Sequence, residues 1–95
     1  MSKHNYTHEM KSWKHFFQEI KEGKKTHDLR DMKDRDFRIG DTILLREFDN
    51  INGGYTGDEL PVEITYITSN NTPCAYSSAV LDKDYCILSI RKLFV

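Results

Sequence analysis

Residues 12–30, SWKHFFQEIKEGKKTHDLR, change their periodicity half-way along. Trp13, Phe16, Phe17 and Ile20 fall at i, i+3, i+4 and i+7, the spacing of one apolar helical stripe. Ser12 stands where an N-cap belongs and Gly23 where a helix stops, so the spacing predicts a helix over 13–22. Beyond Gly23 the apolar period falls to two. A strand over 26–31 sets Thr26, Asp28 and Arg30 on one face and His27 and Leu29 on the other. A helix that runs directly into a strand with a polar row is the first constraint on the fold.

Working outward, Thr7–Lys11 is compatible with a short first strand. The charged segment DMKDRDFRIGD, residues 31–41, ends in a Gly40–Asp41 turn, after which Thr42–Phe48 (TILLREF) reads as a largely buried strand. Asn52, Gly53 and Gly54 supply hairpin-turn chemistry. Leu60, Val62, Ile64 and Tyr66 alternate with Glu59, Pro61, Glu63 and Thr65, the pattern of a strand with one buried face. Pro61 implies that this strand starts at a sheet edge, because proline cannot donate to a ladder. Ser69–Asp84 is a polar loop of 16 residues, and Tyr85–Phe94 closes the chain as a strand centred on Ile87, Leu88 and Ile90. One main helix and five or six mostly antiparallel strands predict an α+β fold, a small barrel with the helix over one opening.

A chain of 95 residues makes one domain, here 1–95 with 1–6 as a flexible tail. It is 38% hydrophobic and 31% charged, and it lacks the roughly 18 consecutive apolar residues of a membrane span. The polar start MSKHNYTHEM does not read as a signal peptide, which implies the cytoplasm. In that compartment Cys74 and Cys86 are expected as free thiols. The net charge of −1 conceals an asymmetry: residues 11–38 carry nine basic and six acidic groups, residues 39–68 one and six. Any contact with a polyanion must therefore be local, since the molecule as a whole lacks a cationic field.

GKKTHDLR, residues 23–30, concentrates the chemistry. Lys25 offers a mobile point charge with three donors, Arg30 a planar donor fork, and Thr26 and Asp28 polar partners beside them. The bland reading is a helix cap followed by a solvated edge strand on which Asp28 and Arg30 neutralise each other. The functional reading is a polar site for an anionic or amide-bearing ligand. His4, His8, Cys74 and Cys86 lack the closely spaced ligand pairs of a zinc site, so no metal is expected, and there is no P-loop, GxGxxG or GxSxG. Phe16, Phe17 and Ile20 are expected in the core, leaving Tyr55 and Tyr76 as the aromatics placed to stack on a ligand.

The helix running into GKKTHDLR, followed by DRDFRIGDTILLREFD, GYTGDEL and VEITYI, resembles the ASCH domains of the PUA-like superfamily, in particular a small bacterial and phage subgroup of unassigned function. The resemblance spans about His8–Ile90. Gly23, Lys25, Asp28 and Arg30 match the family's motif, with Thr26 also typical and Asp28 standing where glutamate is commoner. The resemblance implies a five- or six-stranded barrel with a cleft between barrel and helix that binds RNA or a nucleotide. Gly23, Lys25, Thr26, Asp28, Arg30 and Tyr55 are then the ligand-binding candidates, with no cofactor. One similar branch is an amidohydrolase acting on N4-acetylcytidine. Its catalytic lysine maps to Lys25, its catalytic threonine to Asp28, and the insertion bearing its glutamate has no counterpart in Ser69–Asp84. Binding of RNA or a nucleotide-like molecule by a monomer or weak dimer is thus the first expectation. Alternatives are an amidohydrolase using Lys25 and Asp28, and a phage or host protein-interaction module using the acidic segment.

Overall fold

The computed structural model describes residues 5–33 and 35–93. Seven elements follow in order: β1 (His8–Trp13), α1 (Lys14–Lys21), β2 (His27–Asp31), β3 (Thr42–Asp49), β4 (Gly54–Thr68), α2 (Ser77–Val80) and β5 (Tyr85–Lys92). The strands form one sheet in the order β1-β3-β4-β5-β2. β1 runs parallel to β3, and the β3–β4, β4–β5 and β5–β2 pairs are antiparallel. The result is a β-rich half-barrel with little helix.

Alternation sets the core. Ile43 and Leu45 from β3, Leu60, Val62 and Ile64 from β4, and Cys86, Leu88 and Ile90 from β5 turn to the concave side. Phe17 and Ile20 of α1 and Phe37 cover them. Burying Phe17 and Ile20 completely is worth about 1.5–3 kcal/mol each, and this attaches a helix too short to persist alone.

Several expected details differ. α1 is eight residues long, and Ser12 belongs to β1, where it is buried; Trp13 takes the N-cap position without a side-chain bond. Gly23 does end the helix region, at φ +83°, in the left-handed conformation that glycine adopts without cost. Phe16 is 47% exposed, because the stripe that faces the sheet is narrowed to Phe17 and Ile20. Pro61 lies in the central strand β4, not at an edge. Its carbonyl accepts from Leu93 N–H just beyond the last residue of β5, so its missing donor faces the point where that ladder ends. Tyr66 is exposed because a register shift between Ile64 and Tyr66 reverses the alternation and turns Ile67 inward. The 69–84 segment contains the short helix α2. Of the expected tail, residues 1–4 lie outside the described residues, as does Phe94 at the chain end.

Candidate functional site

β1 and β2 are the two edges of the sheet, and no backbone ladder joins them among the described residues. Curvature brings them together instead through one side chain: Arg30 Nη2 donates to the carbonyl of Lys11 at 2.9 Å. The same guanidinium donates from Nε to Asp28 Oδ2 at 2.7 Å. Both residues point inward from β2 and keep only 21% and 16% of their side chains exposed, while Leu29 points out at 56%. An inward-pointing charged pair blunts an edge strand, and here it also floors a cleft.

That cleft, about 450 Å³, lies along the seam and is walled by Lys11, Ser12 and Trp13 of β1, Phe16 of α1, Lys25, and Asp28–Arg30 of β2. Its volume is within the range of small-molecule pockets. Trp13 and Phe16, each about half exposed, present nearly parallel rings with centroids 6.5 Å apart and an interplanar angle of 15°. Lys25 Nζ stands 5.8 Å from the Phe16 centroid and 3.4 Å from His27 Nε2. Its position is set by α1, since the Lys24 and Lys25 amides both donate to Glu19 O past the end of the helix.

Beneath the cleft Cys86 pairs with Arg30 across the β2–β5 ladder and is fully buried. Burial, reinforced by the Asp28 carboxylate, pushes its thiol up to about 11. Cys86 is therefore a neutral packing group. Cys74 is exposed, and the Tyr76 amide and Ser77 hydroxyl hold its thiol below the ordinary value. Both cysteines are free.

The expected site residues divide. Lys25, Asp28 and Arg30 converge on the seam cleft. Gly23 and Thr26 do not: they line a second depression of about 340 Å³ on the other side of Lys25, with Ile20, Ile90, Arg91 and Lys92. The row of Thr26, Asp28 and Arg30 is thus broken, because β2 begins only at His27 and Thr26 lies outside its alternation. Tyr55 is outside the cleft, edge-on to Phe48 and capped by Arg46 at 4.2 Å; it reaches the site only through Lys11, whose Nζ is 4.1 Å from the Phe48 centroid and 6.0 Å from that of Tyr55. Tyr76 is exposed next to α2. Lys25 and Asp28, the pair expected for hydrolysis, share the cleft without touching, as Asp28 is held by Arg30.

Glu47 and His8 are buried and held by polar partners distant in sequence. Glu47 accepts from Gln18 Nε2 and Thr56 Oγ1, both at 2.6 Å, pinning α1 to β3 and β4. His8 Nε2 bonds Asp41 Oδ2 at 2.9 Å, with Arg35 on its other nitrogen. The readable signal for Glu47 is parity: it shares the inward face of Ile43 and Leu45. Among the described residues no three His, Cys, Asp or Glu side chains cluster as metal ligands, and His4 lies outside them.

Residues 7–90 match the family described as a domain of unknown function, DUF3850. The chain belongs to the DUF3850 family. It is also 38% identical over 61 residues to an "Uncharacterized 12.9 kDa protein in GpA 3'region" of Escherichia phage P2. That alignment covers 64% of this chain and 53% of the phage protein, so the chain spans about half the length of the relative it matches. No helix among the described residues is long and apolar enough to cross a membrane.

Proposed function

We propose that this DUF3850 domain binds a nucleotide or a single-stranded RNA segment in the seam cleft, acting in the cytoplasm. One observation carries the reading: a half-exposed aromatic pair, Trp13 and Phe16, shares a depression with the cations Lys11, Lys25 and Arg30. Stacking platforms beside basic groups are how sequence-tolerant single-strand binders hold bases and phosphates. The two rings pack on each other, and neither belongs to the core cluster, so together they present an apolar face open to the cleft. The resemblance to ASCH domains of the PUA-like superfamily supports the same reading, because that likeness implies a cleft between helix and barrel at Lys25, Asp28 and Arg30.

Trp13 is the one tryptophan of the chain and reports directly on the cleft. Titration at low salt with nucleoside monophosphates and short RNA should change its fluorescence saturably, with a logarithmic salt slope near one per phosphate contact. Phe16→Ala should weaken binding by about 1–3 kcal/mol, the usual worth of a stacked base, and Lys25→Ala should lower the salt slope. Absence of saturable binding to every probe, or binding indifferent to both substitutions, overturns the proposal.

A further inference from the structure

We infer that the ligand is a single-stranded nucleic acid of two or more nucleotides, held across Lys25 by a second subsite at Thr26, Arg91 and Lys92. This rests on the reading of the seam cleft as a base- and phosphate-binding site, and it specifies the class of molecule bound there.

The two depressions adjoin, and both are lined by Lys25. Their chemistry differs. The seam cleft has the stacking rings and the Asp28–Arg30 pair, whereas the second depression has no acidic residue in its lining and three cations, Lys25, Arg91 and Lys92. Those cations remain able to take a phosphate. Lys92 Nζ donates to the carbonyl of Lys21 at 2.9 Å, capping the end of α1, which engages one of its three donors. Arg91 lies on the outer face of β5 and forms an ion pair with Glu63, an exposed pairing that holds the guanidinium in place at little energetic cost to exchange. Ile20 and Ile90 provide the apolar floor that a sugar or base edge would cover.

Size favours a strand over a free nucleotide. Each depression alone, about 450 and about 340 Å³, has the volume of a small-molecule pocket, and the two meet at Lys25. Together they give room for more than one nucleotide and match a short strand whose backbone crosses over Lys25, with a base on Trp13 and Phe16 and the next phosphates on Arg91 and Lys92.

The test follows Trp13 fluorescence with uridine and adenosine monophosphates, the corresponding RNA tetranucleotides and their DNA counterparts. The expected result is at least tenfold tighter binding of tetranucleotide than of monophosphate, with a steeper salt slope. Arg91→Gln, and separately Lys92→Met, should bring tetranucleotide affinity down to within about threefold of the monophosphate affinity measured on the same variant. Lys92 also caps α1, so the surface residue Arg91 keeps the test valid if the Lys92 variant is unstable. Gains shared by RNA and DNA assign recognition to backbone and base; gains confined to RNA assign it to the 2′-hydroxyl as well. Equal affinities for monophosphate and tetranucleotide, or tetranucleotide binding untouched by both variants, overturn the second subsite while the seam cleft stands. Failure of every probe to bind overturns the cleft itself.

Discussion

Replacing Arg30 by methionine removes the side chain that, among the described residues, hydrogen-bonds across the two sheet edges, and the size of the loss can be worked from its contacts. Methionine keeps an apolar stem of similar reach but loses the Nε bond to Asp28 and the Nη2 bond to Lys11 O. It also strands the Asp28 carboxylate, with about one-sixth of its side chain exposed, above the buried Cys86 thiol. A fully buried pair costs about 3–5 kcal/mol to break from one side. Solvent screening of a pair that keeps 16% and 21% exposure reduces this, and about 2–3 kcal/mol is expected. For a domain of this size that is a fall of about 10–20 °C in Tm. Urea and thermal unfolding, followed by far-ultraviolet circular dichroism, measure it. The double variant Asp28→Asn, Arg30→Met should recover about 1 kcal/mol relative to Arg30→Met, because the stranded charge has gone. A loss below about 0.5 kcal/mol in Arg30→Met, or strictly additive single effects, would refute the bridging role.

Gly23→Ala should destabilise by about 1–2 kcal/mol in urea, purely through its left-handed backbone, because a Cβ there meets nothing within 4 Å. Native protein at pH 8 should take up one equivalent of iodoacetamide, at Cys74, and a second only in denaturant. Cys86, at about 11, is then ionised to about one part in a thousand, and it is closed to solvent. Because the folded state holds that proton more tightly than an ordinary thiol at 9.0, the stability it confers is complete below pH 9 and is lost as pH rises through about 11. Between those pH values the wild type should lose about 2–3 kcal/mol relative to Cys86→Val, as read by urea midpoints. Phe17→Ala should cost about 3–5 kcal/mol and Phe16→Ala less than 1, separating core from cleft by thermal melts.

Much of the fold was legible because short-range pattern and burial agree. Ile43 and Leu45, Leu60 to Ile64, and Leu88 with Ile90 alternate in sequence and turn inward together. The failures lie where tertiary context overrides local period. Trp13 and Phe16 continue the apolar stripe of α1, but Trp13 is itself the last residue of the parallel edge strand β1, and the helix lands with only Phe17 and Ile20 over the sheet. A bulge, which has no reliable sequence mark, moved Tyr66 outward. At the site, Lys25, Asp28 and Arg30 could be named from the chemistry of GKKTHDLR, yet their partners Lys11 and Trp13 come from β1. That proximity depends on how far the sheet curls, which no local sequence pattern encodes.

The seam has a mechanical consequence. Along every other junction of the sheet, separating two strands breaks a ladder of backbone bonds, but between β1 and β2 it breaks the Arg30–Lys11 bond. The cleft therefore lies along the one junction held, among the described residues, by a side chain, while β3, β4 and β5 are paired on both sides by backbone. Under the proposed reading, an occupant that displaced the Lys11 carbonyl would meet the guanidinium donors that now close the half-barrel.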